Sequence, residues 1–184
     1  MKFTPQSISD VILIEPTVHG DKRGYFVETF RQDFFEEALG YKVNFIQDNE
    51  SKSIKGVLRG LHYQLPPYSQ AKLVRVIEGR VLDVAVDIRK SSPTFCQHVA
   101  VELTAENKHQ LFVPHGFAHG FVVLSHIATF SYKVDNYYAP EHELGIAFDD
   151  IKLGIDWRLT MQELHLSEKD KTQPLLSDVI DLFK

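Results

Sequence analysis

The chain has 184 residues, a net charge of −5 and 43% hydrophobic residues, enough for one domain with a sizeable core. The negative charge argues against nucleic-acid binding, which requires a basic surface. The single cysteine, Cys96, excludes a disulfide within the chain, and we expect it to pack rather than to act as a nucleophile. The apolar run at residues 11–14 is too short for a signal peptide or a membrane span, so we expect a cytoplasmic protein without membrane contact.

Two short strands are predicted near the N-terminus, at residues 11–14 and 25–30, with a turn between them. Alternation along the second strand places Phe26, Glu28 and Phe30 on one face. A face of this composition is unusual for a core and also for a surface. An edge strand with one exposed charge is the simplest interpretation of it.

The next segment combines a helix with a strand and a polar stretch. Residues 33–39 predict a helix, with Asp33 as a possible N-cap and Gly40 at its end. Residues 43–46 indicate a strand. The polar residues 47–51 are typical of a turn, and a rim that faces a ligand is the alternative.

Residues 57–134 carry an almost continuous strand signal, in which short β-branched and aromatic runs are separated by turn residues. The predicted strands are residues 57–64, 72–77, 80–88, 97–103, 109–114, 120–124 and 128–134. This spacing predicts an all-β sandwich or barrel and disfavours a doubly wound parallel sheet. We expect a single domain over residues 1–184, with a barrel core at about 43–148 and an irregular tail at 149–184 that includes a short helix at 177–182.

The histidines suggest a metal site at first, but the ligand set is incomplete. The stretch that ends at His62 resembles the opening of a cupin metal motif, although Gln64 stands where a second histidine would follow. His115 and His119 are four residues apart, but Pro114 and the neighbouring glycines disfavour a helix that would bring them together. A catalytic metal typically needs three protein ligands. We therefore predict no metal.

Without a metal, His62 is a candidate general base, because histidine exchanges protons near neutral pH. A base of this kind needs a carboxylate that orients it, and Asp83, Asp87 and Asp170 are the candidates. For Asp170 the local pattern, which begins at Ser167, predicts a helix cap or a surface charge instead.

Two more strand residues have both a structural and a chemical interpretation. Lys72 begins a buried strand, where it either stabilises an enolate oxygen or extends to water. Tyr132 is either an ordinary strand aromatic or a proton donor. Strict alternation places Arg59 and His62 on opposite faces, so a bulge at Gly60 is needed if both side chains face one ligand.

Several long motifs give the chain a strong resemblance to a known family. They are HGDKRGYFVETF, NFIQDNES, GVLRGLHYQLPPYSQAKLVRVIEGRVLDVAVDIR, FVPHGFAHGF, FSYKVDNYYAPEHELGI and LSEKD, and they extend over residues 19–170. The chain resembles the dTDP-4-dehydrorhamnose 3,5-epimerases, which are cupin-like enzymes of dTDP-L-rhamnose synthesis. The resemblance implies a jelly-roll barrel, a homodimer, no metal and no cofactor.

The resemblance also implies a substrate, dTDP-4-dehydro-6-deoxy-D-glucose, with epimerisation at C3 and C5. It makes His62 the base, Asp170 its partner, Tyr132 the acid and Lys72 the residue that stabilises the enolate. The implied substrate contacts are Arg23, Phe26, Glu28, Gln47, Asn49, Arg59, His119, Tyr138, Glu143 and Lys169. Of these, Arg23, Phe26 and Glu28 are expected to reach the site of the partner subunit, and residues 11–30 are expected to contribute to the dimer.

Three alternatives remain open at this point. An epimerase that acts at one carbon, or a keto-isomerase of a dTDP-keto-sugar, would share the fold and most of the site. A metal-dependent cupin oxygenase is disfavoured by Gln64. A cupin that binds nucleotide sugars without catalysis would leave the paired base and acid unexplained.

Overall fold

The computed structural model describes all 184 residues. Its thirteen strands are β1 (Lys2–Pro5), β2 (Ile12–Glu15), β3 (Val18–Asp21), β4 (Gly24–Val27), β5 (Gln47–Ile54), β6 (Leu58–Gln64), β7 (Lys72–Glu78), β8 (Arg80–Asp87), β9 (His98–Thr104), β10 (Gln110–Val113), β11 (Phe117–Val123), β12 (Ile127–Val134) and β13 (Glu143–Gly145). The α-helices are α1 (Gln32–Leu39) and α2 (Glu168–Lys171), and single turns of 3₁₀ helix lie at Pro140–His142, Met161–Glu163 and Leu176–Asp178. No helix is both long enough and apolar enough to cross a bilayer.

Two antiparallel sheets face each other around one core. The six-stranded sheet has the order β1-β2-β10-β7-β12-β5, and the five-stranded sheet has the order β13-β6-β11-β8-β9. Val74 and Val76 of β7 pack in the same core cluster as Phe121 and Val123 of β11, so the inner faces of the two sheets meet there. Two facing antiparallel sheets around a shared core form a jelly roll, which confirms the predicted fold class.

The outer face of each sheet is covered by a different part of the chain. The C-terminal tail covers the five-stranded sheet, where Trp157 and Leu176 belong to the same hydrophobic cluster as Leu82 and Val84 of β8. The Trp157 indole also donates a hydrogen bond to the carbonyl of Phe148, 2.8 Å away. This packing fixes the path of the tail and carries α2 to the edge of β6, with which it is in contact.

Helix α1 covers the six-stranded sheet through Phe35, which is buried against Phe112 with ring centroids 5.2 Å apart. The predicted helix and its end at Gly40 are confirmed, and Gly40 adopts the left-handed conformation with φ 77°. The predicted cap at Asp33 is wrong, because the helix begins after Arg31. Asp33 lies in the first turn, where its carboxylate pairs with Arg31 at 2.8 Å.

Some local predictions fail at the ends of the barrel. The polar residues 47–51 are not a turn but the start of β5, which pairs with β12 from Gln47 opposite Val134 to Ile54 opposite Ile127. Residues 43–46 are not a strand, and β4 ends at Val27 rather than at residue 30. The helix predicted at residues 177–182 is only the 3₁₀ turn Leu176–Asp178.

Candidate active site

A cavity of about 670 Å³ opens between the two sheets. Its wall combines aromatic side chains with an unusual number of polar and charged groups. All four predicted catalytic residues and six of the predicted substrate contacts line it: His62, Lys72, Tyr132, Asp170, Gln47, Asn49, Arg59, His119, Tyr138 and Glu143. The barrel therefore gathers into one cavity side chains from both sheets and from the tail.

The predicted bulge in β6 is confirmed, and it directs the side chains of Arg59 and His62 into the cavity. On β11, His119 pairs with His62 and Phe121 pairs with Arg59, so that Gly60 and Leu61 together oppose one residue, Gly120. Gly60 has φ 135°, and a Cβ atom there would lie 2.5 Å from the Cα atom of Gly120. The backbone therefore requires glycine at position 60.

His62 is held by a carboxylate from the far end of the chain. Its Nε2 atom lies 2.5 Å from Oδ1 of Asp170, and only 4% of the Asp170 side chain is exposed. The second carboxylate oxygen accepts a hydrogen bond from the Ser167 hydroxyl at 2.8 Å. Burial raises the pKa of Asp170, but the hydrogen bonds from His62 and Ser167 outweigh it, so the pKa is lowered overall.

The prediction that Asp170 belongs to a helix cap is confirmed in part. The backbone N–H of Asp170 donates to the hydroxyl of Ser167, which caps α2. Asp170 thus takes part in the cap through its backbone, while its side chain turns inward to His62. It is not a surface charge.

The other two carboxylates considered for His62 have different partners. Both oxygens of Asp83 lie 2.9 and 3.0 Å from Nε2 of His119, in a pair whose side chains are 0% and 7% exposed. Asp87 binds the guanidinium of Arg89 at the other end of β8. Asp83 therefore orients a second cavity histidine, and Asp87 does not reach the cavity.

Lys72 is partly buried and lines the cavity at the start of β7. Burial lowers the pKa of its ammonium group to about 8, against the opposing effect of the carboxylates of Glu143 and Asp83. At neutral pH the group is a cation in a poorly solvated position. Such a cation interacts strongly with negative charge that develops nearby.

Tyr132 lies on β12, in the six-stranded sheet, and therefore faces the cavity from the wall opposite His62. Burial raises the pKa of its hydroxyl, and the carboxylate of Glu143 adds to this effect. The phenol consequently stays protonated at neutral pH. A phenol on one wall thus faces the His62 imidazole on the other.

A polar network lies around Glu143. Its carboxylate accepts a hydrogen bond from the Tyr138 hydroxyl at 2.9 Å and forms an ion pair with Lys169 of α2. Burial raises the pKa of Glu143, but the hydrogen bonds from Lys169 and Tyr138 lower it overall. Gln47 accepts from the backbone N–H of Tyr138 at 3.3 Å, which joins β5 to the same network.

Comparison with known proteins agrees with this geometry. Residues 5–178 match the family model described as dTDP-4-dehydrorhamnose 3,5-epimerase. The chain belongs to the dTDP-4-dehydrorhamnose 3,5-epimerase family. A curated dTDP-4-dehydrorhamnose 3,5-epimerase from Shigella flexneri is 58% identical over 170 residues, which cover 92% of this chain and 93% of the relative.

Solved structures show the same relationship for this epimerase. The Legionella pneumophila dTDP-6-deoxy-D-glucose-3,5-epimerase, crystallised with dTDP-4-keto-L-rhamnose, is 49% identical. It superposes with a TM-score of 0.95, over 100% of this chain and 97% of that one. ChmJ from Streptomyces bikiniensis, a 3′-monoepimerase in complex with dTDP-quinovose, is 36% identical with a TM-score of 0.89, over 94% of this chain and 87% of that one.

Four predicted site residues of the epimerase do not line its cavity. Lys169 lies beside it and reaches Glu143. Arg23, Phe26 and Glu28 lie on or just after the separate β3–β4 hairpin, where Phe26 is 69% exposed. The guanidinium of Arg23 pairs with Asp21 of the same hairpin. Their reach into a partner subunit stays a prediction.

The cavity also contains residues that were not predicted. The rings of Phe121 and Phe130 stack with centroids 4.1 Å apart and form part of its wall. Ser51 shares the inner face of β5 with Gln47 and Asn49, and the period of two in this strand is the signal that could have found it. His165 enters through a bridge between Val57 and the tail, which no local pattern indicates.

No group of three or more His, Cys, Asp or Glu side chains is arranged to hold a metal ion. Two of the cavity histidines bind a carboxylate instead, His62 with Asp170 and His119 with Asp83.

Proposed function

We propose that this epimerase inverts C3 and C5 of dTDP-4-dehydro-6-deoxy-D-glucose and releases dTDP-4-dehydro-L-rhamnose, without a cofactor. The observation that carries the proposal is that His62 and Tyr132 line one cavity from facing sheets. Inversion of a carbon requires that a proton leaves from one face and returns on the other. The similarity to dTDP-4-dehydrorhamnose 3,5-epimerases supports the proposed substrate, and the residues that line the cavity support the proposed proton transfers.

In the first step His62 takes the proton from C3. The electrons of the broken C–H bond form the C3–C4 double bond, and the C4 ketone oxygen becomes an enolate. Since Nε2 of His62 is bound to Asp170, the remaining Nδ1 atom is the proton acceptor. A positioned general base contributes roughly 10²–10⁴-fold to the rate.

The enolate needs a positive group beside its oxygen. Lys72 fits this role, because it is a cation at neutral pH and burial keeps water from weakening its charge. His119, held through Nε2 by Asp83, provides a second polar group on the facing sheet. Removal of one such donor typically costs roughly 10²–10³-fold in rate.

In the second step Tyr132 gives its proton to the opposite face of C3, which forms the new C–H bond and restores the ketone. His62 then releases its proton to water, and Tyr132 regains one, before the same sequence takes place at C5. The raised pKa of Tyr132 keeps the donor loaded between turnovers. One pair of residues thus serves both carbons.

The remaining predicted contacts are assigned to the nucleotide sugar. Arg59 reaches into the cavity beside Ser53, to whose hydroxyl it donates at 3.2 Å, and Lys169 lies at its side. Cations of this kind bind a diphosphate through charge-assisted hydrogen bonds. Gln47, Asn49, Tyr138 and Glu143 complete the polar wall, which accounts for anion binding by a chain of negative net charge.

We also propose that the active form is a homodimer in which Arg23, Phe26 and Glu28 contribute to the partner's site. The exposed position of their hairpin supports this assignment. Mixing an inactive Arg23→Ala variant with an inactive His62→Ala variant tests it. Mixed dimers should regain part of the activity if one site takes His62 and Arg23 from different chains. A lack of recovery, with dimer exchange shown to occur, would contradict the shared site.

The similarity to ChmJ, a 3′-monoepimerase, favours one alternative function for this chain, which is epimerisation at a single carbon. Incubation with dTDP-4-dehydro-6-deoxy-D-glucose in D₂O, followed by NMR of the product, separates the two. The proposal predicts deuterium at both C3 and C5 and the L-rhamno configuration. Deuterium at C3 alone would establish the single-carbon reaction instead.

A further inference from the structure

A cluster outside the cavity joins three segments of the chain through Ser69, His115 and Asp135. The Ser69 hydroxyl lies 2.7 Å from Nδ1 of His115, and Nε2 of His115 lies 2.6 Å from a carboxylate oxygen of Asp135. The other oxygen of Asp135 accepts the backbone N–H of Ala71 at 2.7 Å. Asp135 is therefore bound on both sides, by His115 and by the residue that precedes Lys72.

The cluster lies beside the end of β7 at which Lys72 is located. Lys72 is the first residue of β7, and it occupies the last pair of two ladders, opposite Val113 of β10 and Val134 of β12. Strand ends open more easily than strand centres. Asp135 directly follows β12, and His115 lies two residues after the end of β10, so their hydrogen bond extends the connection beyond the last backbone pair.

Further hydrogen bonds fasten the same segment. The Asn136 side chain donates to the carbonyl of Pro67 at 2.9 Å, and the Gln70 side chain donates to the carbonyl of Asn136 at 2.8 Å. Ala71 itself is 1% exposed. The chain between Pro67 and Lys72 is thus tied to the end of β12 at several points, and both Gln70 and Lys72 line the cavity.

We propose that His115 is a positioning residue for Lys72, and that the Ser69–His115–Asp135 clamp holds the Lys72 ammonium group in its place inside the cavity. The role rests on the proposed function, because it concerns the residue assigned to the enolate. His115 does not line the cavity, so any effect on the reaction is indirect. Its effect passes through Asp135 and the backbone at Ala71.

Displacement of Lys72 has a signature that simple loss of stability lacks. The pKa of Lys72 is about 8 because the group is buried. The other charged or titratable side chains that line the cavity are Glu50, Arg59, His62, His119, Tyr132, Tyr138, Glu143, His165 and Asp170. The charge of Asp83, which lies behind His119, also acts on Lys72. If the clamp is released and Lys72 moves toward water, its pKa rises toward the ordinary value of 10.5.

The test compares His115→Ala, His115→Gln and Ser69→Ala with the wild-type enzyme. We expect His115→Ala to lower kcat by roughly 10- to 100-fold with little change in KM, because a small displacement of a catalytic group is costly. The alkaline limb of its kcat/KM profile should move to higher pH. Glutamine retains an N–H that can reach Asp135, so His115→Gln should restore most of the activity. An exposed histidine in the β11–β12 turn provides the control variant His126→Ala.

A second measurement does not depend on activity. NMR of protein with ¹³C-labelled lysine, with the Lys72 signal assigned through Lys72→Arg, gives the Lys72 pKa directly. An increase in the pKa of Lys72 in the His115→Ala variant, but not in the His126→Ala variant, supports the clamp. A folded His115→Ala variant with wild-type kcat and an unchanged Lys72 pKa would overturn it. If His115→Ala does not fold, Ser69→Ala decides by the same criterion, with a smaller expected increase.

These readouts separate the clamp from the proposed reaction. A wild-type enzyme that does not epimerise its substrate, while the Lys72 pKa still rises in the clamp variants, would contradict the proposed function alone. An active wild type with unaffected clamp variants would contradict the clamp alone.

Discussion

His62 and Asp170 are separated by 108 positions in the chain, and their side chains lie 2.5 Å apart. The contact exists because the C-terminal tail packs across the outer face of the five-stranded sheet and delivers α2 to the edge of β6. Asp170 is fixed from its other side by Ser167. The orientation of the proposed base is therefore determined by the packing of the tail, not by the strand on which His62 lies.

Asp170→Asn should abolish most of the activity without unfolding the chain. The asparagine amide donates to Nε2 of His62, which moves the imidazole proton to Nδ1, the atom that must accept a proton from the substrate. We expect kcat to fall by roughly 10²–10⁴-fold, the usual contribution of a general base. Steady-state kinetics with a circular dichroism spectrum measures this, and Asp149→Asn, at an exposed position, is the control. Near-normal kcat in a folded Asp170→Asn variant would exclude the dyad.

Lys72 should set the alkaline limit of activity. Burial lowers its pKa to about 8, so the ammonium group proposed to hold the enolate loses its proton as the pH rises past that value, and kcat/KM should fall. An arginine stays charged at any accessible pH. Lys72→Arg should therefore be less active at neutral pH but lose this alkaline limb, whereas Lys152→Arg, on the surface, should retain it. A limb near pH 8 that persists in Lys72→Arg would assign it to another group.

Tyr132→Phe should separate proton removal from inversion. The base on the facing sheet remains, so exchange of substrate protons with D₂O should continue, while delivery from the other face is lost. We expect the ratio of inversion to exchange at C3 to drop by roughly 10²-fold or more, within the range for a general acid. NMR of recovered substrate and product gives both rates. Equal losses of exchange and inversion would argue against Tyr132 as the specific donor.

Asp87 should contribute to stability at acid pH rather than to catalysis. Burial raises its pKa, but hydrogen bonds from Arg89, Ser92 and Thr94 lower it to about 2. Because the pKa of Asp87 is lower in the folded chain than in the unfolded chain, where it is about 4, the ionised carboxylate stabilises the fold fully at pH values above 4. This stabilisation is lost as the pH falls through 2, where the carboxylate of the folded chain takes up a proton. It amounts to about 2 kcal/mol of the free energy of unfolding at neutral pH. Urea unfolding of Asp87→Asn between pH 2 and 7 should show this loss at neutral pH and a shallower acid dependence. Parallel curves for variant and wild type would contradict it.

Much of the barrel is readable from the sequence because its inner face is apolar. Strands β6 to β12 alternate with turn residues, and the bulge at Gly60 follows from the need to turn Arg59 and His62 to one side. The same logic fails for β5. Gln47, Asn49 and Ser51 on the inner face of β5 line the cavity and are polar. Polar residues in succession are also typical of a turn, so the sequence of this strand predicts a turn.

The pairing of charged groups depends on contacts that a local pattern does not contain. Asp83 and His119 meet because β8 and β11 are neighbours in a particular register, which only the folded sheet defines. Asp170 looks like a cap from its own segment, and its inward role came from the resemblance to a family. Local patterns specify which face a residue occupies, whereas partners far along the chain depend on the closure of the barrel.

The central claim, that His62 removes the protons at both carbons, is tested most directly by deuterium exchange with the His62→Ala variant. Wild-type enzyme and substrate in D₂O should incorporate deuterium at C3 and C5, observed by NMR. The folded variant should show no exchange above the uncatalysed rate at either carbon. Exchange at C3 or C5 at a rate close to that of the wild type, in a folded His62→Ala variant, would contradict the account.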